Sequence, residues 1–104
     1  MEPHSLNLLR PKLKQLIDLG YKSDFTIMNN RLYSYDSREY YSYNQITVED
    51  EFKFVENTRT NYKVSLFKII CEGGELGTIV TSSEQVEDSP LYGFLRISKQ
   101  PHLH

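Results

Sequence analysis

The sequence predicts an α+β fold: an N-terminal helix packed on a mostly antiparallel β-sheet of about four to five strands. Three observations predict it. Leu6, Leu9, Leu13, Leu16 and Ile17 recur at helical spacing. From Thr47 the residues alternate between large apolar and charged side chains, the period of a half-buried strand. Two apolar runs then flank Glu72-Gly73-Gly74-Glu75, the pattern of a β-hairpin.

The leucine stripe gives the helix one buried face, while Arg10, Lys14 and Asp18 fall largely off it. Pro11 is best tolerated in a first turn, so the regular helix is expected to begin near Leu9 or Arg10. Gly20 is suited to a left-handed terminator. A strand over Asp24–Met28 and a return over Arg31–Tyr35 follow, joined at Asn29-Asn30, since Asn tolerates positive φ. Asp36–Glu39 reads as a loop, and Tyr40–Asn44 as a turn or a short extended piece. In the strand from Thr47 to Val55, Val48, Asp50, Phe52 and Phe54 share one parity. Asp50 is the misfit on that aromatic face and signals a bulge or a late start. Tyr62–Cys71 is a long strand whose alternation changes phase at Leu66-Phe67, which marks either a bulge or a strand covered on both faces. Leu76–Thr81 closes the hairpin, and Gly77 leaves room on its face for a neighbouring side chain or backbone. Over 90–98, Ser89-Pro90 favours a short C-terminal helix; a strand through Tyr92 and Phe94 is the alternative. One domain spans 1–104, with flexible ends near 1–4 and 99–104.

Twelve basic and fourteen acidic side chains give a net charge of -2. Such a balance offers no general attraction to phosphate backbones, so nucleic acid is not an expected partner. A single cysteine, Cys71, excludes an internal disulfide and fits a reducing compartment. No apolar run approaches a membrane span, and the N-terminus carries no continuous hydrophobic signal segment. A cytoplasmic protein is the expectation.

Candidate chemistry is sparse. A catalytic thiolate at Cys71 would need a base or an electropositive pocket, but the histidines stand at 4, 102 and 104 and Glu72 is adjacent. His102 and His104 alone are too few for a zinc site, and no metal or cofactor is expected. Glu49, Asp50 and Glu51 read as a solvated strand edge. Gly73-Gly74 lacks the spacing of a phosphate loop.

The feature that stands out is a cluster of tyrosines, Tyr33, Tyr35, Tyr40, Tyr41 and Tyr43. Tyrosine joins a large apolar ring to a polar hydroxyl, so such a cluster serves either as the rim of a small core or as a recognition surface. These five are the candidate partner-binding residues. Asp24 and Asp50 are the candidate polar contacts of a pocket.

Gly20-Tyr21, Asp24-Phe25, Val48 to Phe54, Leu66–Cys71 and Gly77-Thr78-Ile79-Val80 together resemble a family of small Bacteroidetes α+β proteins. Its members are often labelled phosphoribosylpyrophosphate synthetase. The resemblance covers about Leu13 to Thr81 and implies a compact α+β fold. Where that family has a segment like Tyr-Arg-Phe-Glu-Gly, this chain has Phe52-Lys53-Phe54-Val55-Glu56. The label implies no activity here, because the chain shows neither a ribose-phosphate loop nor an acidic metal site.

The expectation for function is a non-enzymatic module that binds a protein partner or itself, as a homodimer through sheet edges and tyrosines. The alternative is a small-molecule binding protein or enzyme with a pocket lined by tyrosine and carboxylate.

Overall fold

The computed structural model describes residues 4–55, 63–82 and Leu95. After a two-residue strand β1 (His4–Ser5) and a 3-10 turn at Leu6–Leu8, helix α1 runs Leu9–Asp18. Pro11 sits in its first turn, where no intrahelical donor is needed. The helix ends as a Schellman motif. Gly20, at φ +108, donates to the Ile17 carbonyl, and Tyr21 donates to the Leu16 carbonyl.

Among the described residues, seven strands form one sheet: β1, β2 (Ser23–Met28), β3 (Arg31–Ser34), β4 (Tyr40–Tyr41), β5 (Ile46–Val55), β6 (Lys63–Cys71) and β7 (Leu76–Ser82). Their spatial order is β1-β5-β6-β7-β2-β3-β4. The β2–β3, β3–β4, β5–β6 and β6–β7 pairs are antiparallel, whereas β1–β5 and β2–β7 are parallel. The expected count of four to five strands is therefore too low; the sheet is mostly antiparallel, as expected, but partly parallel through β1–β5 and β2–β7. The two added strands have two residues each, too few for any periodicity to show: β1 was not expected, and β4 is the short extended alternative read over Tyr40–Asn44.

The β2–β3 turn matches its expectation, with Asn29 and Asn30 at φ +52 and +62. The phase of β5 does not. Val48 pairs with Ile69 and Asp50 with Lys68, so Glu49 is the extra residue of a bulge. This insertion turns Val48 to the opposite face from Phe52 and Phe54, which the plain alternation had placed together.

Two cores result. On one face Leu6, Leu9, Leu13 and Leu16 pack on Phe52, Phe54, Val64 and Leu66. Ile17 is 40% exposed and lies off that stripe. On the other face Phe25 and Leu32 join Ile46, Val48, Phe67, Ile69, Cys71, Ile79 and Leu95. Three strands separate β3 from β5 in the sheet, and the second core runs across them from Leu32 to Val48 through Phe25, Ile79 and Ile69. The central strand β6 is buried on both faces with no break in register, which explains its phase change at Leu66-Phe67. Apart from Leu95, fully buried in the second core, the expected helix over 90–98 lies outside the described residues, as do the ends at 1–3 and 99–104.

Candidate functional site

The β2–β3–β4 meander has two unlike sides. Alternation from buried Phe25, Leu32 and Ser34 puts Ser23, Ile27 and Tyr41 on the inner side. Asp24, Thr26, Met28, Arg31, Tyr33 and Tyr40 lie on the outer side.

The inner side is organised by Glu75, which ends the β6–β7 turn. Gly73 and Gly74, at φ +94 and +101, bend the chain there, and the Glu75 carbonyl accepts from the Cys71 amide. Four hydroxyls donate to the Glu75 carboxylate: Ser23 and Ser34 to Oε2, both at 2.6 Å, and Ser37 at 2.7 Å and Tyr41 at 2.5 Å to Oε1. An ionised carboxylate has about four acceptor sites, so this one is saturated. Burial alone would raise its pKa. The bonds from Ser23, Ser34, Tyr41 and Ser37 outweigh burial and hold it at about 2. Ser34 is fully buried, and its Oγ also accepts from the Asp36 and Ser37 amides. The loop 35–39 is tied further by Arg38 N–H to the Ser34 carbonyl, with Arg38 at φ +62. One side chain thus joins the β6–β7 turn to three strands and a loop.

This cage suits binding and support better than proton transfer. Burial, then the bond to Glu75 and its charge, push the Tyr41 hydroxyl up to about 12. Burial and the Glu75 charge push the Cys71 thiol to about 12, far from a thiolate at neutral pH.

The outer side is aromatic. Tyr33 and Tyr40 are cross-strand partners with centroids 4.8 Å apart and planes at 49°. Tyr35 meets Tyr33 edge-on, at 5.5 Å and 87°. The Arg31 guanidinium stands 4.6 Å from the Tyr40 centroid, and the Tyr40 hydroxyl points to Met28 Sδ at 3.9 Å. Tyr35 is 54% and Tyr40 40% exposed. At the far end the Tyr35 amide bonds the Asp24 carbonyl, and the Asp36 carboxylate accepts from the Asp24 amide at 2.7 Å. Burial and the neighbouring Asp36 charge raise the Asp24 pKa.

The five tyrosines therefore divide. Tyr33, Tyr35 and Tyr40 form the outer cluster, Tyr41 points inward to Glu75, and Tyr43 lies largely exposed in the 3-10 turn Tyr43–Gln45. Asp50 is not brought to Asp24. It sits on β5, its Oδ1 bonding the Glu51 amide, with β6 and β7 between it and β2, about 14 Å at ordinary strand spacing. Sequence reasoning missed Glu75, Ser23, Ser34 and Ser37. Glu75 directly follows a Gly-Gly turn, which marked the bend but not the carboxylate's partners.

A second polar group lies at the bulge. Tyr21 donates to Glu49, and that bond, with burial and the Glu49 charge, raises the Tyr21 pKa. Lys68 is 3.7 Å from Glu49 and 4.7 Å from the Tyr21 ring centroid. Two open grooves of about 600 Å³ flank the helix, one by Arg10, Val80 and Ser82, the other by Lys12, Phe52 and Phe54. Neither reaches the tyrosines. Among the described residues, no group of three or more His, Cys, Asp or Glu is placed to hold a metal, and no helix is long and apolar enough to cross a membrane.

No family model, curated protein or solved structure matches this chain.

Proposed function

We propose that the chain is a binding protein whose small-molecule ligand rests on the outer side of β2–β3–β4, on Tyr33, Tyr35 and Tyr40 beside Asp24 and Asp36. The observation that supports this reading is the contrast across one hairpin. Inside, a saturated carboxylate cage joins the strands; outside, three rings pack together, with Tyr35 and Tyr40 exposed and Tyr33 half-buried. Rings held in place before binding lose little freedom when a ligand docks.

Amide chemical-shift titration with a panel of small amines, carboxylates, sugars and nucleosides tests it. Shifts should gather on residues 24–41. Shifts confined to the grooves beside the helix, or none with any member of the panel, would remove the reading.

A protein partner or second copy of the chain on this same face is the second reading. It is favoured by the position of β4, a two-residue edge strand carrying exposed Tyr40. Sedimentation of the wild type and of Tyr40→Ser separates the two: a dimer that Tyr40→Ser dissociates supports self-association, and equal monomer mass for both ends the second-copy form of that reading.

A further inference from the structure

We infer that the outer tyrosine face takes a cation of the alkylated-ammonium class, seated on the rings of Tyr33 and Tyr35 and beside Asp24. This rests on the reading above that the face is the ligand site, and it names the ligand's chemistry.

The ring geometry is the first support. Tyr35 stands nearly perpendicular to Tyr33 and Tyr40 is tilted against it, so the three rings present π-faces in different directions. The face of an aromatic ring carries negative charge density and attracts cations. Second, the fold already fills one such position with its own cation, since the Arg31 guanidinium lies over Tyr40. Third, the charge is graded along the hairpin. Arg31 is at the turn end, and Asp24 with Asp36 is at the Tyr35 end, about 13 Å away along an extended strand. Burial, and then the neighbouring Asp36 charge, raise the Asp24 pKa, and a cation docked between the acids and the rings offsets both.

The choice of an alkylated ammonium follows from what the rings supply. They offer π-faces, and the carboxylates of Asp24 and Asp36 stand at one end of them, so a bare ammonium seated on the rings would find acceptors on one side only and would give up the rest of its hydration without replacement. A cation whose charge is spread over methyl groups gives up less and gains contact with the rings.

The test is amide titration of the full chain with choline and with its neutral carbon isostere, in which a tert-butyl group replaces trimethylammonium. Choline should shift amides around 24, 33 and 35, and the isostere should bind about fivefold more weakly or worse. Tyr35→Leu should weaken choline about fivefold while its thermal melt stays close to wild type. Asp24→Asn should weaken choline and flatten its salt dependence. Equal binding of choline and isostere would overturn the cationic assignment and leave an apolar ligand site standing. So would silence toward choline alongside shifts at this face from another compound of the panel. Silence toward every compound removes both the cationic assignment and the small-ligand reading beneath it.

Discussion

The two sides of one hairpin use tyrosine in opposite ways. On the inner side the Tyr41 hydroxyl is spent on Glu75, within a set of bonds that reaches from residue 23 to residue 75. On the outer side Tyr33, Tyr35 and Tyr40 contact one another, and their rings serve as surface. The same residue type is structural where its polar end meets a half-buried carboxylate, and available where it does not. The difference teaches that the outer rings ride on elements tied together at the inner joint, since Glu75 is bonded from β2, β3, β4 and the loop between β3 and β4.

The harshest way to break that arrangement is Gly77→Ala. A Cβ at Gly77 would overlap the Ser23 carbonyl and come within 2.6 Å of the Phe25 ring, so β2 could not lie beside β7. We expect a loss of about 3 kcal/mol in urea unfolding. The choline response of the outer face should fall with it, although no ring is touched. A variant as stable as wild type would mean that β2 is joined to β7 less closely than the register indicates.

Glu75→Gln is a subtler break. The amide keeps one acceptor oxygen, while its NH2 group faces hydroxyls arranged to donate. Since bonds to a charged acceptor are the strong ones, the expected cost is about 2 kcal/mol by urea unfolding. The cage also has a pH signature. The folded-state pKa of Glu75 lies below its ordinary 4.5, at about 2. Its stabilisation is therefore present above about 4.5 and is lost as pH falls toward 2. Tyr41 has the opposite sign: its pKa rises from 10.0 to about 12, so its contribution is present below 10 and is lost as pH climbs toward 12. Urea midpoints measured across both windows should fall at each end, and Glu75→Gln should flatten the acidic fall specifically. An unchanged acidic fall in that variant would place the acid sensitivity elsewhere.

Much of the frame was legible because it is written in local patterns. The leucine stripe marked α1, Gly20 its end, Asn29-Asn30 a turn and Gly73-Gly74 another. Each is a choice among neighbouring residues. Asp50 even hinted at the bulge, because a carboxylate on an aromatic face is out of place. The cage was illegible for the converse reason. Its members stand at 23, 34, 37, 41 and 75, and serine or glutamate at a strand end carries no periodic signal. The division of the tyrosines was hidden too. Whether Tyr40 or Tyr41 points outward depends on Tyr33 pairing with Tyr40, a register set by the turn and by Leu32 entering the core.

The outer rings should be energetically mild, in contrast to the cage. Tyr40→Ser removes one ring contact with Tyr33 and one cation–π contact with Arg31, both at the surface. We expect a stability loss of about 1 kcal/mol or less, with the Glu75 hydroxyl bonds preserved. A double-mutant cycle of Tyr33→Leu with Tyr40→Leu measures the pair directly and should give a coupling of about 0.5 kcal/mol. A coupling several times larger would mean that the outer cluster holds the hairpin itself, and the division between support inside and recognition outside would fail.

The smallest effect is expected at the hairpin's own turn, and it runs in the stabilising direction. Asn29 and Asn30 both hold positive φ, a conformation that suits the right-handed twist of β2 and β3 but costs any residue with a Cβ. Asn-Gly fits that turn better than Asn-Asn, so Asn30→Gly should raise stability by about 0.5 kcal/mol. The gain is limited because glycine also adds freedom to the unfolded chain. Since the turn lies at the opposite end of β2 and β3 from the cage, the gain should survive in the Glu75→Gln background. If it vanishes there, the hairpin does not form independently of its anchor, and the turn and the cage are one cooperative unit.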